Sequence, residues 1–228
     1  MTDLQKQSKR IQAMFSQIAR RYDLMNRLMT AGQDGRWRRE VIRRAGLKDG
    51  SRLLDLGAGT GDLTRESLRQ APGCLAFPAD FTLAMMQAGN GRGRLDWSAA
   101  DALSLPFPEN GFDAVVSGFL MRNVSDVRQA LREQYRVLKS GGRIVILDTT
   151  RPRRNLLTPF IWIHFHLVIP WLGSIISGQR NAYTYLPEST ERFLSAEELS
   201  DEMINAGFKN TSFRRLMFAT IAIHWGDK

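Results

Sequence analysis

Apolar side chains at Ile11, Phe15, Ile18, Tyr22, Met25 and Met29 recur at steps of four and three, the spacing of one helix stripe. Lys9, Arg10, Arg20, Arg21 and Arg27 fall mostly off that stripe. The spacing therefore predicts an amphipathic basic helix that packs its apolar side on its own domain, with direct membrane contact the alternative. A second basic helix, Trp37 to Arg44, follows the loop between Gly32 and Gly35. From residue 52 the pattern changes to short apolar runs alternating with helical stretches. Arg52–Leu56 precedes a helix from Asp62, and Cys74–Ala79 precedes a helix from about Thr82. Phe112–Phe119 precedes a helix from Asp126 to Lys139, which Gly141-Gly142 is expected to stop before the strand Gly142–Asp148.

Strands alternating with helices imply crossover connections and a mainly parallel sheet. Ser195-Ala-Glu-Glu198 reads as a capping box opening a helix that ends at Gly207, and the runs Phe213–Phe218 and Ala219–Trp225 can pair as an antiparallel hairpin at the sheet edge. Leu156 to Ile176 interrupts the alternation with 21 residues, 14 of them strongly apolar. Pro159, Pro170, His164, His166 and Gly173 argue against a spanning helix, so the segment reads as two helices forming an apolar lid suited to a greasy substrate. The expected organisation is one domain over 1–228: basic helices to residue 50, a core over 51–150, the lid over 151–190, and a helix and hairpin over 191–228.

At 228 residues the chain can bury a sizeable core, and 43% apolar with 24% charged residues excludes a disordered composition. The charge changes the picture more. Of a formal net charge of +9, residues 1–50 contribute 12 Lys/Arg against 5 Asp/Glu, while the rest of the chain is nearly neutral. A basic segment on a neutral body points to an anionic surface, membrane lipid or nucleic acid, or simply to a solvated helix face. The lone Cys74 and the lack of a secretory signal in the opening residues fit a cytoplasmic protein.

The chemistry concentrates at the ends of the predicted strands. In Leu54-Asp-Leu-Gly-Ala-Gly-Thr-Gly-Asp62, Gly57, Gly59 and Gly61 let the backbone turn tightly and approach a ligand. The dinucleotide fingerprint requires a different spacing of its third glycine, and Asp55 and Asp62 flank the bend with negative charge. That is a poor seat for a pyrophosphate and a good one for a cation such as S-adenosylmethionine, with NAD the alternative. Asp80, ending the second strand, can accept from ribose hydroxyls. Asp101, with Ala102 ending the third, can accept from an adenine amino group. The scattered histidines and single cysteine offer no metal cluster.

These motifs, with Arg21-Tyr-Asp-Leu-Met-Asn26, Met121-Arg-Asn-Val124, Tyr183-Thr-Tyr-Leu-Pro-Glu-Ser189 and Ala206-Gly-Phe208, make the chain resemble the demethylmenaquinone methyltransferase family, the C-methyltransferases of menaquinone and ubiquinone biosynthesis. The resemblance implies an α/β, class I S-adenosylmethionine-dependent methyltransferase (Rossmann-like) fold. Its seven-stranded sheet would end in an antiparallel hairpin, with N-terminal helices and a helical lid added. It implies contacts to the cofactor from Thr60, Asp80, Asp101 and Ala102, a pocket continuing past Gly118, and an N-terminal helix carrying Tyr22, Asp23 and Asn26 over it. The acceptor would be a prenylated quinol, most simply demethylmenaquinol. The chain departs from the family where Phe119-Leu120-Met121 replaces a Phe-Gly-Leu and Asp148-Thr-Thr-Arg-Pro152 replaces a Glu-Phe-Ser-Lys-Pro.

Methylating a ring carbon requires the phenolate, so Arg122 is expected to stabilise that charge and Asn123 to orient an oxygen. Tyr183, Tyr185, Ser189 and His166 are candidate acceptor contacts, and a water, His164 or His166 the candidate base. Two other functions stay open on the sequence: methylation of another hydrophobic small molecule, and a nucleic-acid methyltransferase. The second lacks the Asn/Asp-Pro-Pro-aromatic run after the fourth strand, where Ser117-Gly-Phe-Leu120 stands, so nucleic acid is not the expected partner.

Overall fold

Alternate residues of the central strands face two different apolar layers, and this period-two division builds the molecule. A computed structural model describes residues 3–151 and 188–228. The strands β1 (Arg52–Leu56), β2 (Leu75–Asp80), β3 (Ser98–Ala99), β4 (Phe112–Gly118), β5 (Leu138–Thr149), β6 (Lys209–Leu216) and β7 (Ile221–Asp227) form one sheet in the order β3-β2-β1-β4-β5-β7-β6. The first five are parallel; β7 pairs antiparallel with both β5 and β6, completing the hairpin edge.

Leu54, Leu56, Val115, Ile144 and Ile146 pack towards α6 (Val127–Val137) and α7 (Ala196–Asn205). Leu53, Ala114, Val116, Val145 and Leu147 pack towards α3 (Asp34–Ala45) and α4 (Asp62–Gln70). Fully burying each such side chain contributes about 1.5–3 kcal/mol before entropy is counted. The helix starts follow local chemistry. Asp126 accepts from Gln129 N at 2.9 Å, and Ser195 and Glu198 form the expected reciprocal capping box at 3.2 and 2.7 Å.

Three local expectations need correction. The N-terminal stripe is not one helix: α1 (Asp3–Ile18) and α2 (Tyr22–Met29) are separated by a 3-10 turn, Ala19–Arg21. The helix before β5 stops at Val137, and the pair Gly141-Gly142 lies inside β5. There Gly141 (φ +76°) forms a bulge between the Phe112–Leu138 and Ala114–Arg143 pairs. β3 ends at Ala99, because the Asp101 side chain takes the Leu103 N–H at 2.9 Å and turns the chain. Pro78 does not interrupt β2, since β1 pairs along its length and β3 pairs only with Ala79 and Asp80 beyond it. The expected lid over 156–176 lies outside the described residues. Among the described residues no helix is long and apolar enough to cross a membrane.

Candidate active site

The carboxyl ends of β1, β2 and β4 open into a cleft, placed where open parallel sheets hold ligands. The bend after β1 forms one wall. Gly57 has φ +66°, and a Cβ there would come within 2.8 Å of Leu120 Cδ1; Gly61 has φ +84°, and its Cβ would meet Leu95 Cδ1 at 2.7 Å. Either position therefore requires glycine for backbone conformation and for close packing.

Gly59 N donates to Asp80 Oδ2 at 2.8 Å, and Thr82 N donates to Asp80 Oδ1 at 2.7 Å. These bonds fix the Asp80 carboxylate in the cleft wall. Burial raises its pKa while the backbone N–H groups oppose the shift. Asp101, Ala102 and Gly118 also line the cleft. A second, smaller pocket lies at the bend, bounded by Asp55, Thr60, Asn26 and Arg38; Tyr22, Gly57, Gly59 and Gly118 line both spaces. Gly61 lines neither.

Asp55 shows the pocket's chemistry most directly. Thr64 N and Thr64 Oγ1 both donate to Asp55 Oδ2, at 2.9 and 2.6 Å, whereas Oδ1 is buried with no partner. Desolvation pushes the Asp55 carboxyl up to about 7, against the pull of the Thr64 bonds. Asn26 Nδ2, also bounding this pocket, is buried beside the Tyr22 hydroxyl. An orphan acceptor and a buried amide donor beside the same space suit a zwitterionic group.

The N-terminal segment roofs the cleft with Ile11 and Phe15 of α1, and Gln12 Nε2 donates to Phe81 O at 2.9 Å. Phe15 and Tyr22 meet edge-on with centroids 5.9 Å apart. Thr60 Oγ1 donates to Asp23 Oδ1 at 2.6 Å, and Arg92 bridges Asp23 and Asp62, at 2.6 Å each. The α2 segment is thus fastened directly to the glycine bend.

Arg122 and Asn123 occupy the turn after β4, but their side chains are engaged with the fold. Arg122 Nη1 pairs with Asp148 Oδ1 at 2.6 Å, and Asn123 Nδ2 donates to Phe119 O at 2.8 Å. Asn123 lines the cleft; Arg122 lines neither space. The Arg122 charge still reaches the cleft: desolvation raises the Tyr22 phenol pKa, and Arg122 is the largest opposing influence. Between them Phe119 adopts φ +59°, unusual for a non-glycine residue, with the Arg122 guanidinium 5.1 Å from its ring centre.

Ser189 is buried and lines neither space. Tyr183, Tyr185 and His166 lie outside the described residues. The sequence reading did not single out Phe81, Met85 or Leu120 as lining residues. The place of Phe81, directly after the acidic end of β2, was the available signal.

A mainly parallel sheet closed by an antiparallel hairpin, with its ligand cleft over a glycine bend, defines the class I methyltransferase fold. Solved structures share it: the [4+2]-cyclase SpnF (TM-score 0.71, 20% identity, 97% of this chain and 96% of that one) and the Haemonchus contortus phosphoethanolamine N-methyltransferase 2 in complex with S-adenosyl-L-methionine (TM-score 0.65, 16% identity, 85% and 52%). A cyclase among them shows that this fold alone does not set the reaction. The chain belongs to the ubiE/COQ5 methyltransferase family, which it matches over residues 1–228. It is 46% identical over 224 residues to the ubiquinone/menaquinone biosynthesis C-methyltransferase UbiE of Desulfotalea psychrophila (96% of this chain, 90% of that protein). It is 44% identical over 220 residues to the demethylmenaquinone methyltransferase of Thermus thermophilus (94% and 100%).

Proposed function

We propose that this enzyme transfers the methyl group of S-adenosylmethionine to a ring carbon of a prenylated quinol, demethylmenaquinol foremost, in quinone biosynthesis. Family membership supports the reaction class, and the names of the relatives at 46% and 44% identity support the acceptor. The observation that carries the reading is the pairing of spaces across the glycine bend: a polar pocket with an orphan Asp55 oxygen, sharing Tyr22, Gly57, Gly59 and Gly118 with a cleft walled by Asp80 and Asp101.

The residues fit S-adenosylmethionine. Asp80 would accept from the ribose hydroxyls, Asp101 from the adenine amino group, and Asp55, Asn26 and Thr60 would surround the amino-acid end. When bound, the cofactor supplies an electrophilic methyl on a sulfonium. The chain's own task is to exclude water and favour the acceptor's phenolate, whose negative charge activates the adjacent ring carbon. The Arg122 charge that partly offsets the desolvation of Tyr22 would offset in the same way the cost of a phenolate held beside it. Arg122 acts at a distance, with its Asp148 pair fixing its position. Asn123 holds the Phe119 turn that shapes the acceptor end. Among the described residues the only histidine is His224, buried in β7, and water, His164 or His166 would take the proton. The composition and the lone cysteine support a cytoplasmic enzyme working at the inner face of a membrane.

Methyl-labelled S-adenosylmethionine offered with a short-chain demethylmenaquinol, a methoxylated benzoquinol, unrelated phenols and tRNA tests the reading. Label is expected on the quinol carbon, with the naphthoquinol preferred. Label in RNA or on a phenolic oxygen instead would overturn it.

A further inference from the structure

Eight large apolar side chains are exposed among the described residues, and their distribution over the sheet is uneven. Phe81 and Leu83 follow the carboxyl end of β2. Leu24 and Leu28 lie one turn apart on α2, which is fastened to the bend at the carboxyl end of β1 through Asp23 and Thr60. Phe218 stands at the tip of the β6–β7 hairpin, and that tip is also at this edge, because Ile221 pairs with Thr149 and Thr150 N donates to Thr220 O at 2.9 Å. Five of the eight thus lie at the carboxyl edge of the sheet, and Phe81 among them lines the cleft. Leu75, at the amino end of β2, and Ile204, late in α7, sit on the opposite edge.

The hairpin tip is held in an uncommon conformation. Met217, Phe218 and Ala219 all have positive φ, and Phe218 remains 67% exposed while its neighbour Met217 packs into the apolar layer under α3. A backbone that holds an aromatic ring in solvent this way is costly unless the ring meets something apolar.

Charge identifies what it meets. Between residues 4 and 33 the chain carries six Lys/Arg (Lys6, Lys9, Arg10, Arg20, Arg21 and Arg27) and one carboxylate, Asp23, which is already bonded to Thr60 and Arg92. Lys9, Arg10 and Arg27 are exposed on the same two helices that roof the cleft. On this N-terminal segment, exposed Leu24 and Leu28 set among cations match an anionic phospholipid surface.

We propose that the carboxyl edge of the sheet docks on an anionic bilayer, with Leu24, Leu28, Leu83 and Phe218 entering the interface and Lys9, Arg10 and Arg27 against the headgroups. The cleft then opens towards the lipid, so a substrate with a hydrocarbon tail enters it without crossing water. This last consequence rests on the prenylated-quinol reading; the docking itself does not.

The test is sedimentation of the full chain with vesicles of neutral phosphatidylcholine and of phosphatidylcholine mixed with phosphatidylglycerol, at low and high salt. Turnover on a short-chain, water-soluble quinol is measured in parallel. Binding is expected only to the anionic vesicles and to weaken with salt. Leu24→Glu/Leu28→Glu and Phe218→Glu should each lower partitioning by about tenfold or more, while Ile204→Glu on the opposite edge leaves it unchanged. All three variants should keep turnover on the soluble quinol. Equal loss from Ile204→Glu, unaltered partitioning in the other two, or a dimer that covers this edge and leaves the vesicles unbound would overturn the proposal. Vesicle binding without turnover on any quinol would instead sink the catalytic reading and leave the docking intact.

Discussion

Arg122 and Asp148 form an ion pair of 2.6 Å with side chains only 8% and 1% exposed, and Asp148 Oδ2 also accepts from Arg122 N at 3.3 Å. The pair joins the turn after β4 to the end of β5, so the charge that acts on Tyr22 is also a structural clamp. Thr149 N completes the carboxylate's bonding at 2.7 Å.

Removing one partner of this pair leaves the other charged and buried. Arg122→Ala is therefore expected to lower unfolding stability by about 3–5 kcal/mol, visible as an earlier midpoint in urea. Arg122→Lys should recover part of that stability but less of the turnover, because a lysine cannot reproduce the planar guanidinium over Phe119. Full activity in Arg122→Lys would show that only the charge matters.

Asp80 joins the cleft wall to the glycine bend. Asp80→Ala is expected to weaken S-adenosylmethionine binding by about 1–3 kcal/mol, through lost charged hydrogen bonds and an unpartnered Gly59 N–H. Turnover at saturating cofactor should fall less. Calorimetry showing wild-type affinity would remove Asp80 from the cofactor site.

Asp55 and His224 give opposite pH dependences in the cofactor-free protein. Folding raises the Asp55 pKa from 3.8 to about 7, mainly by burial, so the folded state holds the extra proton between those values. Its contribution is fully favourable below 3.8 and is lost as pH rises through 7. Burial lowers the His224 pKa from 6.5 to about 4, so there the unfolded state holds the extra proton. Its contribution is present above 6.5 and is lost as pH falls towards 4. The two slopes oppose one another between pH 4 and 6.5. Relative to wild type, stability in Asp55→Asn should rise more steeply with pH over this window, and in His224→Gln it should fall. Urea midpoints from pH 4.5 to 7 read both differences, and parallel curves for the three proteins would disprove the assignment.

Gly57 tests the packing of the bend. Gly57→Ala places a methyl at φ +66° and 2.8 Å from Leu120 Cδ1. It should destabilise the fold by about 1–3 kcal/mol through strain and overpacking. The double change Gly57→Ala/Leu120→Ala should recover the packing share and leave the conformational share. No recovery would mean that backbone conformation alone demands the glycine.

Local chemistry made much of this legible in the chain. The alternation of Leu53 to Leu56 and of Ile144 to Leu147 set strands with two buried faces, and Ser195 with Glu198 marked a helix start. The bend from Gly57 to Gly61 and the acids Asp80 and Asp101 marked the cleft, because strand ends and glycines are written in consecutive residues. The breaks were harder. The turn at Ala19–Arg21 does not disturb the helical spacing, since a 3-10 turn shifts the stripe only slightly. Gly141 fits a helix stop and a strand bulge equally well by composition.

Sequence alone thus determined the order of the elements, the glycine bend, the acids at the strand ends and the basic character of the first fifty residues, because each depends on neighbours in the chain. Only the tertiary structure decided that Arg122 is held by Asp148, that Asp55 keeps an unpartnered oxygen, and that Leu24, Leu28, Leu83 and Phe218 share one edge of the sheet. These are relations between residues far apart in the chain. Their energies come from burial and from charges brought together, and neither exists until the sheet has closed its order.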